Sequence, residues 1–92
     1  MNYVLKFRKN ANEDFDIGIK YYDEISSELA DRFHKDFKKT IDIIELNPLL
    51  YQIRYRNIRI ANFNNFPYSV HFIVKNELIF VLTILHQKRY FK

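Results

Sequence analysis

The run His86-Gln87-Lys88-Arg89-Tyr90 concentrates the residue types of this chain that can do chemistry. A histidine can move a proton near neutral pH. Lys88 and Arg89 can hold an anion, and the Tyr90 ring can stack. Lys92 adds a further cation. A second basic group, Arg54, Arg56 and Arg59, stands some thirty residues earlier. Together these residues form a candidate anion-binding or partner-binding surface. Each also has a plainer reading. A histidine after an apolar strand commonly serves as a structural hydrogen-bonding group, and clustered arginines commonly line a solvated face.

The charge distribution favours the binding reading. Residues 47–92 hold seven Lys/Arg against the single acid Glu77, whereas residues 1–46 hold eight against ten. The whole chain of 92 residues has a formal net charge of +4. A cationic half on a small protein steers it toward anionic surfaces. The remaining histidines, His34 and His71, read as surface residues. No HxH or HExxH spacing occurs and there is no Cys. No metal site, disulfide or cofactor is therefore expected.

The length suits one domain over residues 1–92. Nine Phe and seven Tyr supply apolar area to a small core. The start of the chain lacks a signal peptide's apolar region. The longest apolar run, Leu78–Leu85, is too short to span a bilayer. A cytoplasmic protein is expected, with no membrane partner.

The elements that must position the basic groups follow from periodicity. Residues 2–8 alternate, with Tyr3, Leu5 and Phe7 on one side and Lys6 and Arg8 on the other, which predicts a half-buried strand. Asn10, with Glu13 three residues on, predicts a helix N-cap. Ala11, Phe15, Ile19 and Tyr22 carry that helix to about Ile25, with Gly18 as a weak point. Ser26-Ser27 ends it and offers the next cap. Leu29, Phe33, Phe37, Ile41 and Ile44 stripe a second helix, with Lys35, Asp36, Lys38 and Lys39 away from the stripe. Pro48 stops it.

Three strands are then predicted: Ile58–Asn62, Tyr68–Lys75 and Leu78–Leu85. Asn76-Glu77 joins the last two as a hairpin. The expected fold is α+β, in the order β-α-α-β-β-β, an antiparallel sheet with a helical hairpin packed on one face.

Several of these signals occur together in a familiar order. They are Tyr21-Tyr22 in the first helix, Phe33 in the second, Asn47-Pro48 at its end and Ile58-Arg59. Phe66-Pro67-Tyr68-Ser69-Val70 and Leu85-His86-Gln87-Lys88-Arg89 follow. The chain resembles the RelE/ParE superfamily of bacterial type II toxins, the ParE-like branch in particular, over nearly its whole length. The last two motifs, taken together, carry most of the specificity.

The resemblance implies a small growth-arresting toxin encoded beside an antitoxin that wraps and neutralises it. RelE-type relatives are ribosome-dependent RNases acting on mRNA. ParE-type relatives are associated with poisoning of DNA gyrase. Where the nuclease branch tends to place an arginine after an aromatic residue, this chain has Tyr68-Ser69. A serine offers no cationic fork to a phosphate. The expectation is a non-catalytic gyrase inhibitor whose target-binding residues are Arg54, Arg56, Arg59, His86, Lys88, Arg89, Tyr90 and Lys92. If the chain were a nuclease, Arg59, His86, Lys88, Arg89 and Tyr90 would carry the reaction. A basic binding module without enzymatic activity is the third reading.

Overall fold

The computed structural model describes residues 2–87. Strand β1 (Val4–Phe7) leads into helices α1 (Lys9–Ile25) and α2 (Ser27–Leu46). A 3-10 turn, Pro48–Leu50, follows, then strands β2 (Ile53–Tyr55), β3 (Ile58–Asn62), β4 (Tyr68–Lys75) and β5 (Leu78–His86). The α+β class and the helical hairpin packed on one sheet face agree with the sequence reading, as do the bounds of β3 and β4.

The sheet has five strands in the order β1-β5-β4-β3-β2, and β1 pairs parallel to β5. The path of the helices explains the difference from an all-antiparallel sheet. Helix α1 carries on past the end of β1 along β5, where Asp14 accepts from the Ile84 N–H. Helix α2 returns, so that Leu46 at its end lies with Asn2 and Tyr3 beside the start of β1. From there β3 runs the same way as β1, β4 runs back, and β5 is parallel to β1. Strand β2 is three residues long and fully exposed, so no alternation of burial marks it. Its turn into β3 is Arg56-Asn57, both with positive φ (45° and 65°). That is the backbone a two-residue hairpin with the sheet's twist requires.

Helix α1 begins one residue before the predicted Asn10 cap. Arg8 occupies the N-cap position without a side-chain bond. Its backbone N–H donates to the Val81 carbonyl at 2.9 Å, while its own carbonyl accepts from Ala11 and Asn12. The helix therefore starts where the pairing with β5 ends. At α2 the expected cap is present: Ser26 Oγ accepts from the Leu29 N–H at 3.0 Å.

The core lies between the hairpin and the sheet, built from Phe33, Ile44, Val70, Phe72, Ile79 and Val81 with smaller residues between them. Phe33 is its hub. Its ring centroid lies 5.1 to 5.9 Å from those of Tyr22, Tyr68, Phe66, Phe63 and Phe15. Gly18 is what admits that ring, because a Cβ there would sit 2.8 Å from Phe33 Cζ.

Two polar residues were misplaced by periodicity. Asp36 is 4% exposed, and His71 is fully buried on the sheet face turned away from the helices. Burial lowers the His71 pKa from its ordinary value. His71 Nδ1 and the Tyr55 hydroxyl share a hydrogen bond of 3.0 Å. No helix among the described residues is long and apolar enough to cross a membrane.

Candidate functional site

The path to the C-terminal basic segment begins at Asp36. Its carboxylate accepts from the backbone N–H groups of Asn64 (3.2 Å), Asn65 (2.8 Å) and Phe66 (3.0 Å). A buried carboxylate is tolerated when several donors satisfy it. Here it fixes the loop between β3 and β4. Phe63 N–H donates to the Tyr68 carbonyl, and Tyr68 N–H to the Phe66 carbonyl, both at 2.8 Å. Gln87 N–H in turn donates to the Pro67 carbonyl at 2.8 Å. The Phe66-Pro67-Tyr68 segment thus sets where the chain leaves β5.

His86 sits opposite Tyr68 in the β4–β5 ladder, and their rings meet edge-on with centroids 5.2 Å apart. Beside them lies a cleft of about 310 Å³ lined by Ile17, Tyr21, Tyr22, Tyr68 and His86. Burial, assisted by Tyr68, pushes the Tyr22 phenol up to about 12. Its hydroxyl therefore stays protonated at neutral pH. The cleft offers aromatic surface and polar edges next to the point where the basic segment departs. Lys88, Arg89, Tyr90 and Lys92 lie outside the described residues.

The other basic group is elsewhere. Tyr68 and His86 stand at one end of the sheet with Asn62 and Ser69. The Arg56-Asn57 turn joins β2 to β3 at the other end of β3. Arg54 and Arg56 are exposed there. Arg59 differs from both: its guanidinium donates to the Tyr51 carbonyl, tying the 3-10 turn to β3. Of the grouped residues that are described, Arg54 and Arg56 therefore stand at the opposite end of β3 from His86. Tyr21, 57% exposed, packs edge-on against Tyr22 with ring centroids 5.0 Å apart, and both rings line the cleft.

Ser69 is fully buried, and its hydroxyl donates to Asn62 Oδ1 at 2.6 Å. It faces across the β3–β4 ladder rather than toward solvent. Among the described residues, no group of acidic, His or Cys side chains is placed to hold a metal ion.

Sequence reasoning missed Asp36 and Asp14 as positioning residues. Asp14 on α1 reaches the edge of β5 beyond the end of β1. Its Oδ2 accepts from Ile84 N–H at 3.0 Å and from Thr83 Oγ1. For Asp36 a signal existed, since it falls in line with Phe33 and Thr40 on the inward face of α2.

The family described as the ParE toxin of type II toxin-antitoxin system, parDE, matches residues 5–91. This chain belongs to that family. Among solved structures, a chain of the chromosomal ParDE toxin-antitoxin system from P. aeruginosa superposes with a TM-score of 0.80 at 22% identity. The match covers 91% of this chain and 95% of that one. At that identity the likeness establishes the shared fold. No curated protein sequence matches.

Proposed function

We propose that this ParE-family toxin acts in the cytoplasm by binding DNA gyrase without catalysing a reaction, and that a cognate antitoxin encoded beside it holds it inactive. The observation that carries the non-catalytic reading is Ser69. A ribonuclease of this fold needs cations that converge on a phosphate, to stabilise the charge that develops as the 2′-hydroxyl attacks. At the strand position where such a cation would stand, the side chain is short, neutral, buried and bonded to Asn62. Arg59, the nearest arginine in sequence, is drawn to the Tyr51 carbonyl.

What remains is a recognition surface: the aromatic cleft at Tyr68 and His86, and the basic segment that follows it. An aromatic cleft suits a partner's apolar groups, and cationic residues in the same chain suit its acidic ones.

The deciding experiment runs two assays on the same purified protein. One follows supercoiling by gyrase, and the other maps cuts in ribosome-bound mRNA by primer extension. Loss of supercoiling with intact mRNA is expected. Normal supercoiling with codon-positioned cuts would replace this reading with the RNase one, with Arg59, His86, Lys88, Arg89 and Tyr90 as the residues to test.

A further inference from the structure

An apolar surface lies away from the aromatic cleft, where α2 passes into β2. Leu46 is 81% exposed, Leu50 70%, Leu49 55% and Ile53 52%. Ile43, one turn before Leu46, is also exposed. These residues are close in sequence and make an exposed apolar ridge through the end of α2, the 3-10 turn and the start of β2; at the α2 end Leu46 lines a cleft with Asp42 and Glu45. Exposed apolar patches of this kind on small proteins mark interaction sites.

The ridge has a charged end. Arg54 and Arg56 follow it directly, both exposed. Among the described residues neither pairs with an acid; the ion pairs found are Lys35–Asp31 and Lys38–Asp42, both on α2. Arg56 is held in the left-handed region, φ 45°, at the tip of the β2–β3 turn. A non-glycine residue is unfavourable there. Strand β2 is also the outer strand of the sheet, with one edge unpaired.

We propose that this ridge is where the antitoxin docks, through an amphipathic segment that lays apolar side chains over Leu46, Leu49, Leu50 and Ile53 and sets acidic ones against Arg54 and Arg56. The proposal rests on the toxin reading above and names the surface that reading leaves open. Charge selects this occupant. At a net charge of +4, two copies of this chain repel, whereas an acidic segment is attracted. The short, exposed β2 offers few edge hydrogen bonds, so side-chain burial is the main source of affinity. The ridge is well separated in sequence from the C-terminal segment. An antitoxin seated on it would have to reach that segment to block it, or act by excluding the target sterically.

The test co-expresses the chain with the product of the adjacent reading frame. It compares wild type with Leu46→Glu/Leu50→Glu and with Arg54→Glu/Arg56→Glu. Circular dichroism checks that each variant is folded. Wild type should co-purify with the product. Both variants should weaken the complex by about tenfold or more, as loss of central interface contacts does. The arginine variant's deficit should shrink at high salt.

Hydrogen exchange on the wild-type complex carries the same decision without a substitution, since amides of residues 43–56 should be protected by the partner. Folded variants that bind normally, or protection confined to other segments, would overturn the proposal and leave the toxin reading standing. A dimer of the chain released from the complex, converted to monomer by Leu46→Glu/Leu50→Glu, would make a second copy the occupant and overturn it as well. If wild type does not bind the adjacent product, the antitoxin reading itself fails, and this proposal with it.

Discussion

Asp36 Oδ2 lies 2.8 Å from the backbone nitrogen of Asn65, a contact that spans 29 residues of chain. With Asn64 and Phe66 it makes one carboxylate the anchor of the whole β3–β4 loop. Replacing Asp36 by Ala strands these donors in a partly buried loop. Asn64 and Asn65 are exposed and Phe66 is half-buried, so water replaces part of what the carboxylate supplies. Asp36→Ala should therefore lower the unfolding free energy by about 1.5–3 kcal/mol, the range for hydrogen bonds to a charged group. Asp36→Asn keeps one accepting oxygen and should cost less. Urea unfolding of the three proteins measures the order, and equal midpoints would show that the loop holds itself.

Gly18 and Phe33 form the second test. Alanine improves helix propensity over glycine by about 1 kcal/mol. Here its methyl would meet a buried ring at 2.8 Å. Phe33 is fully buried and hemmed in by five other rings, so it cannot swing aside. Overpacking of this kind costs about 1–3 kcal/mol. Gly18→Ala should be net destabilising by about 1 kcal/mol. In a Phe33→Leu background the same change should become neutral or stabilising, a coupling that a double-mutant cycle isolates.

Asp36 shows where periodicity ran out. The bounds of β3 and β4 were legible because apolar and polar residues alternate cleanly there. The stripe on α2 was legible for the same reason at helical spacing. Asp36 was read as solvent-facing because it carries a charge, although its position points inward; the backbone donors that satisfy it come from a distant loop. His71 was read as exposed because it alternates with Val70 and Phe72, yet the second sheet face is also buried at that point. Strand β2 left no pattern, since all three of its residues are exposed. The direction of β5 relative to β1 was hidden for a different reason: it depends on α2 ending beside the start of β1, a contact between residues far apart in sequence. Of the site, the Phe66-Pro67-Tyr68 motif and His86 were visible as types. Their partnership was not, because it depends on the register between β4 and β5.

His71 gives a pH prediction. Burial lowers its pKa in the folded state below the ordinary 6.5. Above about 6.5 the ring is neutral in both folded and unfolded chains, and its contribution is constant. As pH falls below that value the unfolded chain takes up the proton first, so stability declines until pH passes the lowered folded value. Unfolding midpoints from pH 8 to pH 5 should therefore fall, and His71→Gln should flatten that part of the profile. A parallel profile in the variant would assign the acid sensitivity to other groups. Loss of the bond to Tyr55 should also lower stability at pH 8, by about 1 kcal/mol.

Lys88 and Arg89 follow the Gln87–Pro67 hydrogen bond and have little apolar area to add to the core. Replacing charged residues of this kind usually changes stability by no more than about 0.5 kcal/mol. What their loss removes is attraction to an anionic target, which is long-ranged and screened by salt. Lys88→Ala/Arg89→Ala should keep the melting temperature of wild type and lose toxicity when expressed without antitoxin. Arg59→Ala should do the reverse. Its guanidinium holds the Tyr51 carbonyl, and Tyr51 packs edge-on against Phe72 at 5.7 Å, so its removal loosens the 3-10 turn from the sheet. That variant should melt several degrees lower, as a loss of about 1–2 kcal/mol does in a domain of this size. It should still arrest growth at temperatures where it remains folded. If Arg59→Ala instead abolishes toxicity at unchanged melting temperature, Arg59 belongs to the target-binding surface with Arg54 and Arg56. If the Lys88/Arg89 variant stays folded and fully toxic, the aromatic cleft at Tyr68 and His86 becomes the surface to test.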